Sequence, residues 1–324
     1  MSLLEFYGIK GQPFSNAPDN RFYFNSEQHS HALLRLKYAV DSMKGLAVLI
    51  GDIGTGKTTL ARRMLDELPE EEYESALLII IHSSVTAEWL LKKISVQLGV
   101  KDVADTKMEI ISQLYQRLVQ IHEAGKKPVV LIDEAQMLNS RDLMEEFRGL
   151  LNIENTDGKL LSLIFFGMSG LNDCLALDPP LQQRVAVKYK LKSLDADATE
   201  AYIRHRLSIV GCETDLFTPE AYRSIYEHSH GIPRLINTIC DNALFEGFLV
   251  KKKVVGEDLI QEVAEELDLE KKPVGMLRET DEEIDHIIEL DDDDLISDDY
   301  VSGRPTRRSI TLLNGSEKRQ NHKS

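Results

Sequence analysis

Gly51-Asp52-Ile53-Gly54-Thr55-Gly56-Lys57-Thr58 is the stretch whose reading decides the fold. It has the G-x-x-x-x-G-K-[ST] spacing of a Walker A loop, led by the apolar run Leu46 to Ile50 and followed by the helical pattern that opens with Thr59-Leu60-Ala61. That is a strand, a tight turn and a helix in the required order. The glycines allow the main chain to curl with several N–H groups pointing inward, so a phosphate meets amide donors and the positive end of a helix together. Within the cradle Gly51, Asp52, Ile53, Gly54, Thr55, Gly56, Lys57, Thr58 and Thr59, Lys57 is expected to reach the β- and γ-phosphates of ATP, and the Thr58 hydroxyl to ligate Mg²⁺.

Outward from the loop, apolar runs alternate with helical patterns. The runs are Ala76 to Ile81, Val129 to Ile132, Leu161 to Phe166 and a shorter alternation from Val185 to Leu191. Between them helices are expected over Ala87 to Leu98, Met108 to Glu123 and Ser140 to Ile153. Near-continuous apolar strands separated by helices of ten or more residues indicate a parallel sheet covered on both faces. The third run closes on Asp133-Glu134, about 75 residues after Lys57, the form of a Walker B strand. Asp133 then serves the Mg²⁺ shell, and Glu134 orients or deprotonates the attacking water.

From Asp195 the pattern turns all-helical: Asp195 to Val210, Pro219 to His228, Ile232 to Val250 and Glu257 to Leu267, with Pro219 and Pro233 at first-turn positions where proline costs little. Upstream, residues 1–44 are rich in aromatics among glycines and prolines, leading into a helix from His31 to Met43. These rings either anchor a loop on the core or cover an adenine base.

The domains are therefore expected as 1–44, an N-terminal linker and helix; 45–194, the P-loop domain; 195–270, a helical lid; and 271–324, a disordered charged tail. The tail follows from ETDEEIDHIIELDDDDLISDD, where dense like charge outweighs the few apolar groups, although Ile284, Ile287, Ile288 and Leu290 offer a docking motif.

Composition narrows the function classes. The 324 residues are 42% hydrophobic and 6% aromatic, fitting an α/β globular protein. No apolar run nears the roughly 18 residues that span a bilayer, and the N-terminus has no basic start before an apolar block, so the chain is read as cytoplasmic without direct membrane insertion. Cys174, Cys212 and Cys240 lie far apart and the nine histidines lack metal spacing, so Mg²⁺ carried by the nucleotide is the only metal expected. A net charge of −16 argues against a broad nucleic-acid surface.

Two arginines are candidates for neutralising charge at a γ-phosphate: Arg184, after Asp178-Pro179-Pro180, and Arg234, in Gly231-Ile232-Pro233-Arg234. FYGIKGQPFSNAPD at the start, GDIGTGKTTL, VVLIDEAQML, the QQR around Arg184 and GIPRLINTICDNAL together resemble the ExeA-like branch of AAA+ ATPases, the general secretion pathway protein A family, from about Phe6 to Leu249. The resemblance implies an α/β P-loop AAA+ domain followed by a small helical lid. It implies that Arg184 is an arginine finger acting on ATP in the adjacent protomer, Arg234 the sensor 2 arginine, and Gln136 part of a segment that communicates with partners.

Where the family has a polar side chain after its fourth strand, this chain has Met168, which raises the expectation of a slow-hydrolysing, ATP-dependent switch. The leading expectation is an ATP-hydrolysing homo-oligomer, a ring, that acts on a protein partner of a secretion, pilus or other envelope system. A DNA-binding regulator of transposition type is the alternative, with Arg62, Arg63, Lys92 and Lys93 as its candidate contacts.

Overall fold

The computed structural model describes residues 1–17, 19–156, 158–270 and the main chain of 310–313. In chain order its elements are α1 (Leu3–Tyr7), α2 (Glu27–Asp41), β1 (Leu46–Gly51), α3 (Lys57–Asp66), β2 (Tyr73–Ile80), α4 (Ala87–Gln97), α5 (Lys107–Glu123), β3 (Lys127–Asp133), α6 (Arg141–Leu150), β4 (Glu154–Asn155), β5 (Gly158–Lys159), β6 (Ser162–Gly167), α7 (Leu171–Ala176), α8 (Pro179–Gln182), β7 (Val185–Leu191), α9 (Ala196–Ile209), α10 (Pro219–Ser229), α11 (Pro233–Leu249), α12 (Glu257–Glu266) and β8 (Ile310–Leu313). Short 3₁₀ turns cover Asn20–Phe22 and Ala135–Met137. The contacts group the described residues into two compact units.

The first to consider is the α/β unit, built on residues 31–51 and 60–190. Its sheet runs β7-β1-β6-β3-β2-β8. β1 pairs β6 in parallel from Leu46 with Leu163 to Ile50 with Gly167, and β3 pairs both β6 and β2 in parallel. Every residue of β1 and β6 is buried, as expected of strands covered on both faces. One face packs Val48, Ile50, Leu78, Val130, Ile132 and Phe165 against Leu90, Ile94, Leu114, Met144 and Phe147 of the helices. Because β1, β6 and β3 are parallel neighbours, Gly51, Gly167 and Asp133 all end at the same carboxyl edge of the sheet. That edge is where open α/β sheets carry their ligands.

The second unit is helical and comprises residues 1–30, the loop Asp52–Thr59 and the described chain from 191 to 270. Its core joins Ile203, Leu207, Phe217, Ile225, Ile236, Ile239, Ala243, Ile260 and Val263 of α9–α12 and their connections. The segment expected as an N-terminal linker and helix over 1–44 therefore divides. Phe6, Tyr7, Ile9 and Phe14 belong to this core, while α2, already under way at Glu27, runs on past residue 30. Buried there, Phe6, Tyr7 and Phe14 are unavailable to a nucleotide base, and the anchoring reading holds for them.

Polar contacts fix the segment as firmly as the rings do. Arg206 is buried, with Nε donating to the Pro13 carbonyl at 2.5 Å and Nη2 to that of Ser15 at 2.9 Å. Its Nη1 donates to the Tyr202 hydroxyl at 2.7 Å and to Asn237 at 3.1 Å. The guanidinium also lies 4.6 Å from the Phe22 ring centroid, a cation–π distance.

Ile310–Leu313, expected within a disordered stretch, forms β8 parallel to the edge of β2, from Leu77 with Ile310 to Ile80 with Leu313. An uncharged tetrapeptide that opens on the β-branched Ile310 and Thr311 suits an open strand edge, and such an edge offers unpaired N–H and C=O groups. The docking motif at Ile284 to Leu290 lies outside the described residues.

Candidate nucleotide-binding and hydrolytic site

The phosphate loop leaves β1 at Gly51 and ends in the first turn of α3, which begins at Lys57. The first main-chain N–H groups of any helix have no intrahelical partner, so those of Lys57, Thr58 and Thr59 are donors without an acceptor inside α3. Asp52 and Ile53 are exposed, while Thr55 and Lys57 are buried. The Lys57 Nζ donates to the Asp52 carbonyl at 2.8 Å, and the Thr55 hydroxyl donates to the same oxygen at 2.9 Å. The lysine is thereby folded over its own loop, with its charge on a main-chain acceptor that an anionic ligand can replace. A curled loop, a buried cation and a helix N-terminus together fit a triphosphate. The Thr58 hydroxyl and the Asp133 carboxylate are hard oxygen donors of the type that Mg²⁺ takes.

Two side groups missed or only partly read in the sequence support the loop. His29 stands in the first turn of α2, its Nδ1 2.6 Å from the Ser26 hydroxyl. The Ser26-x-x-His29 spacing could have signalled this, but the helix was expected to begin only at His31. A main-chain hydrogen bond ties His29 to Thr55, and a Cβ on Gly56 would lie 3.1 Å from its Nε2. Burial holds the imidazole down to about 4, against the smaller opposing effect of the Thr55 bond. Arg234, exposed in the first turn of α11, reaches the loop by its main-chain N–H, which meets the Gly54 carbonyl at 3.3 Å.

At the end of β3, Asp133 is fully buried and its carboxylate accepts the Glu134 N–H at 2.9 Å. Glu134 adopts a left-handed conformation, φ 56 and ψ 36, and starts the 3₁₀ turn that follows. Its carboxylate accepts from the Gln136 side-chain amide at 2.5 Å. Residue 168 contributes its main-chain N–H, which donates to the Gln136 Oε1 at 3.1 Å. The expectation of a slow switch rested on the Met168 side chain, not on this main-chain contact. Arg184, half-buried between α8 and β7, donates to Asn152 just beyond α6, a partner that no sequence pattern marked.

A Walker A loop at the carboxyl end of the first strand of a parallel sheet, with an acidic pair at the same edge two strands away, beyond β6, defines a P-loop ATPase of the AAA+ class. Residues 40–175 match the model of the AAA domain family. The chain is 36% identical over 247 residues to general secretion pathway protein A of Aeromonas hydrophila, an alignment covering 75% of this chain and 44% of that protein. It belongs to the ExeA-like family of AAA+ ATPases, and spans less than half the length of this relative.

Solved structures agree on the fold. The ORC2 protein of Aeropyrum pernix superposes with a TM-score of 0.61 at 14% identity, over 83% of this chain and 74% of its own. Drosophila ORC bound to DNA gives 0.60 at 17% identity, over 82% and 66%. Among the described residues no helix is long and apolar enough to cross a membrane.

Proposed function

We propose that this chain binds ATP with Mg²⁺ and hydrolyses it. The loop Gly51 to Thr59 holds the phosphates through its main-chain N–H groups, and Lys57 leaves the Asp52 carbonyl for the β- and γ-phosphates. Mg²⁺, held by Thr58 and Asp133, would neutralise phosphate charge as it develops. Glu134 accepts a proton from, or orients, the attacking water. Arg234 meets the γ-phosphate, and Arg184 acts on the ATP of an adjacent protomer. The observation that carries the reading is the acidic pair ending β3, a fully buried Asp133 next to a half-buried Glu134 already engaged by a polar side chain.

Steady-state phosphate release by the wild type and Glu134→Gln tests the reading. A loss of about 100-fold or more is expected from removing a positioned base, and equal rates would overturn the role of Glu134.

The family relationship supports a wider reading: a cytoplasmic, ATP-dependent homo-oligomer, closed into a ring, that acts on a protein partner of a secretion, pilus or other envelope-assembly system. Light scattering with and without ATP tests the assembly, a monomer in both conditions counting against it. The DNA-handling reading is weaker. Of its candidate contacts, Arg63 pairs with Glu67 at 2.8 Å and Lys92 with Asp105 at 3.2 Å, so their charge is already partly answered within the chain. Retention of duplex DNA on a filter at low salt with ATP would revive it.

A further inference from the structure

Gln136 lies two residues beyond the acidic pair, and its side chain joins the ends of two neighbouring strands. Its Nε2 donates to Glu134 Oε2 at 2.5 Å, and its Oε1 accepts the Met168 N–H at 3.1 Å, just past β6. The chemistry of these partners fixes which way the amide points. A main-chain N–H can only donate, so Oε1 faces residue 168; an ionised carboxylate can only accept, so Nε2 faces Glu134.

Three features of the chain let the amide sit there. The left-handed conformation of Glu134 turns the chain sharply off β3, and the 3₁₀ turn Ala135–Met137 then carries Gln136 back toward β6. Gly167 leaves room, since a Cβ there would stand 2.9 Å from Gln136 Oε1 and 3.0 Å from the Leu171 side chain. The Cys174 thiol of α7 also donates to the Gln136 main-chain carbonyl at 3.4 Å, holding the residue from behind.

A carboxylate on a flexible side chain has rotamer freedom that a base must lose before it can take a proton in one direction. An amide bound at both ends removes that freedom in advance. It does so by engaging one carboxylate oxygen and leaving the proton to the other. We infer that Gln136 is the positioning residue of Glu134, setting its carboxylate in register with the end of β6. The inference rests on the proposed role of Glu134 as the base, and deepens it.

The isosteric Gln136→Glu keeps an acceptor for the Met168 N–H but places one carboxylate against another. Near neutral pH the kcat is expected to fall at least tenfold, while ATP affinity, measured with a fluorescent ATP analogue, changes less than threefold. Two carboxylates so close share a proton on acidification. Once protonated, the introduced carboxyl group donates to Glu134 as the amide did, so the pH optimum of the variant moves to the acid side of the wild type. Gln136→Leu removes both bonds, and is expected to lose kcat with no acid recovery. Either variant with wild-type kcat, or Gln136→Glu with a wild-type pH profile, would overturn the inference alone. Equal rates for the wild type and Glu134→Gln would overturn the role of Glu134, and this inference with it.

Discussion

The main-chain N–H of Arg234 donates to the Gly54 carbonyl at 3.3 Å, and the Arg234 side chain begins directly over the same glycine. A Cβ at residue 54 would stand 2.8 Å from the Arg234 Cβ and 2.9 Å from the Ile232 Cγ2, and the φ of +82° disfavours any side chain. Gly54→Ala must therefore push the first turn of α11 off the loop as well as strain the loop itself. The expected result is at least a tenfold weaker affinity for ATP and a loss of about 1–3 kcal/mol of stability. Nucleotide titration and urea unfolding of the same variant check the two halves.

His29 gives the protein an acid-sensitive element. Burial holds its imidazole at about 4, whereas in the unfolded chain it titrates near the ordinary 6.5. Between those values the unfolded state binds the proton and the folded state does not, so folding loses stability as pH falls from 6.5 toward 4 and keeps all of it above 6.5. The full loss is about 3 kcal/mol. Urea unfolding from pH 7.5 down to 4.5 should show this decline, and a flatter one in His29→Asn. Equal slopes in both proteins would show that other groups cause it.

Arg206 supports a prediction about the N-terminal segment. Its guanidinium serves the carbonyls of Pro13 and Ser15 together with Tyr202 and Asn237. Arg206→Met keeps most of the volume and strands these acceptors. A cost of about 2–4 kcal/mol is expected, because buried groups left without a partner lose their full solvation. Early proteolytic cleavage within residues 10–20 of the variant would localise the damage; an unaltered digest would place it elsewhere.

How far the sequence could be read depended on how local each signal was. β1, β3 and β6 were legible because strands buried on both faces are apolar without interruption, and the loop because its donors need glycine and lysine at fixed spacing. Glu134 was legible as the residue directly after the aspartate that closes a strand. The role of Gln136 was not, since its partner Met168 lies 32 positions away and offers only a main-chain N–H. Nor could residues 1–30 be placed, because what holds them is a core contributed by helices near the other end of the chain. Met168 drew attention through its side chain, whereas its main-chain N–H, which no side-chain pattern signals, bonds Gln136.

Arg184 leads to the last prediction. Its guanidinium is held by Asn152, which orients it without supplying a compensating charge. If it serves the ATP of a neighbouring protomer, Arg184→Ala and Glu134→Gln damage different halves of one shared site. Each variant alone should hydrolyse ATP at a few per cent of the wild-type rate or less, the scale on which arginine fingers and bases act. An equimolar mixture forms some interfaces in which an intact Glu134 meets an intact Arg184 from the other variant, and its rate should rise several-fold above the mean of the two. An arginine acting on its own chain's ATP allows no such recovery, because every chain in the mixture still carries one defect. A mixture no faster than that mean, under conditions where light scattering shows mixed oligomers, would assign Arg184 to its own protomer's site or to none.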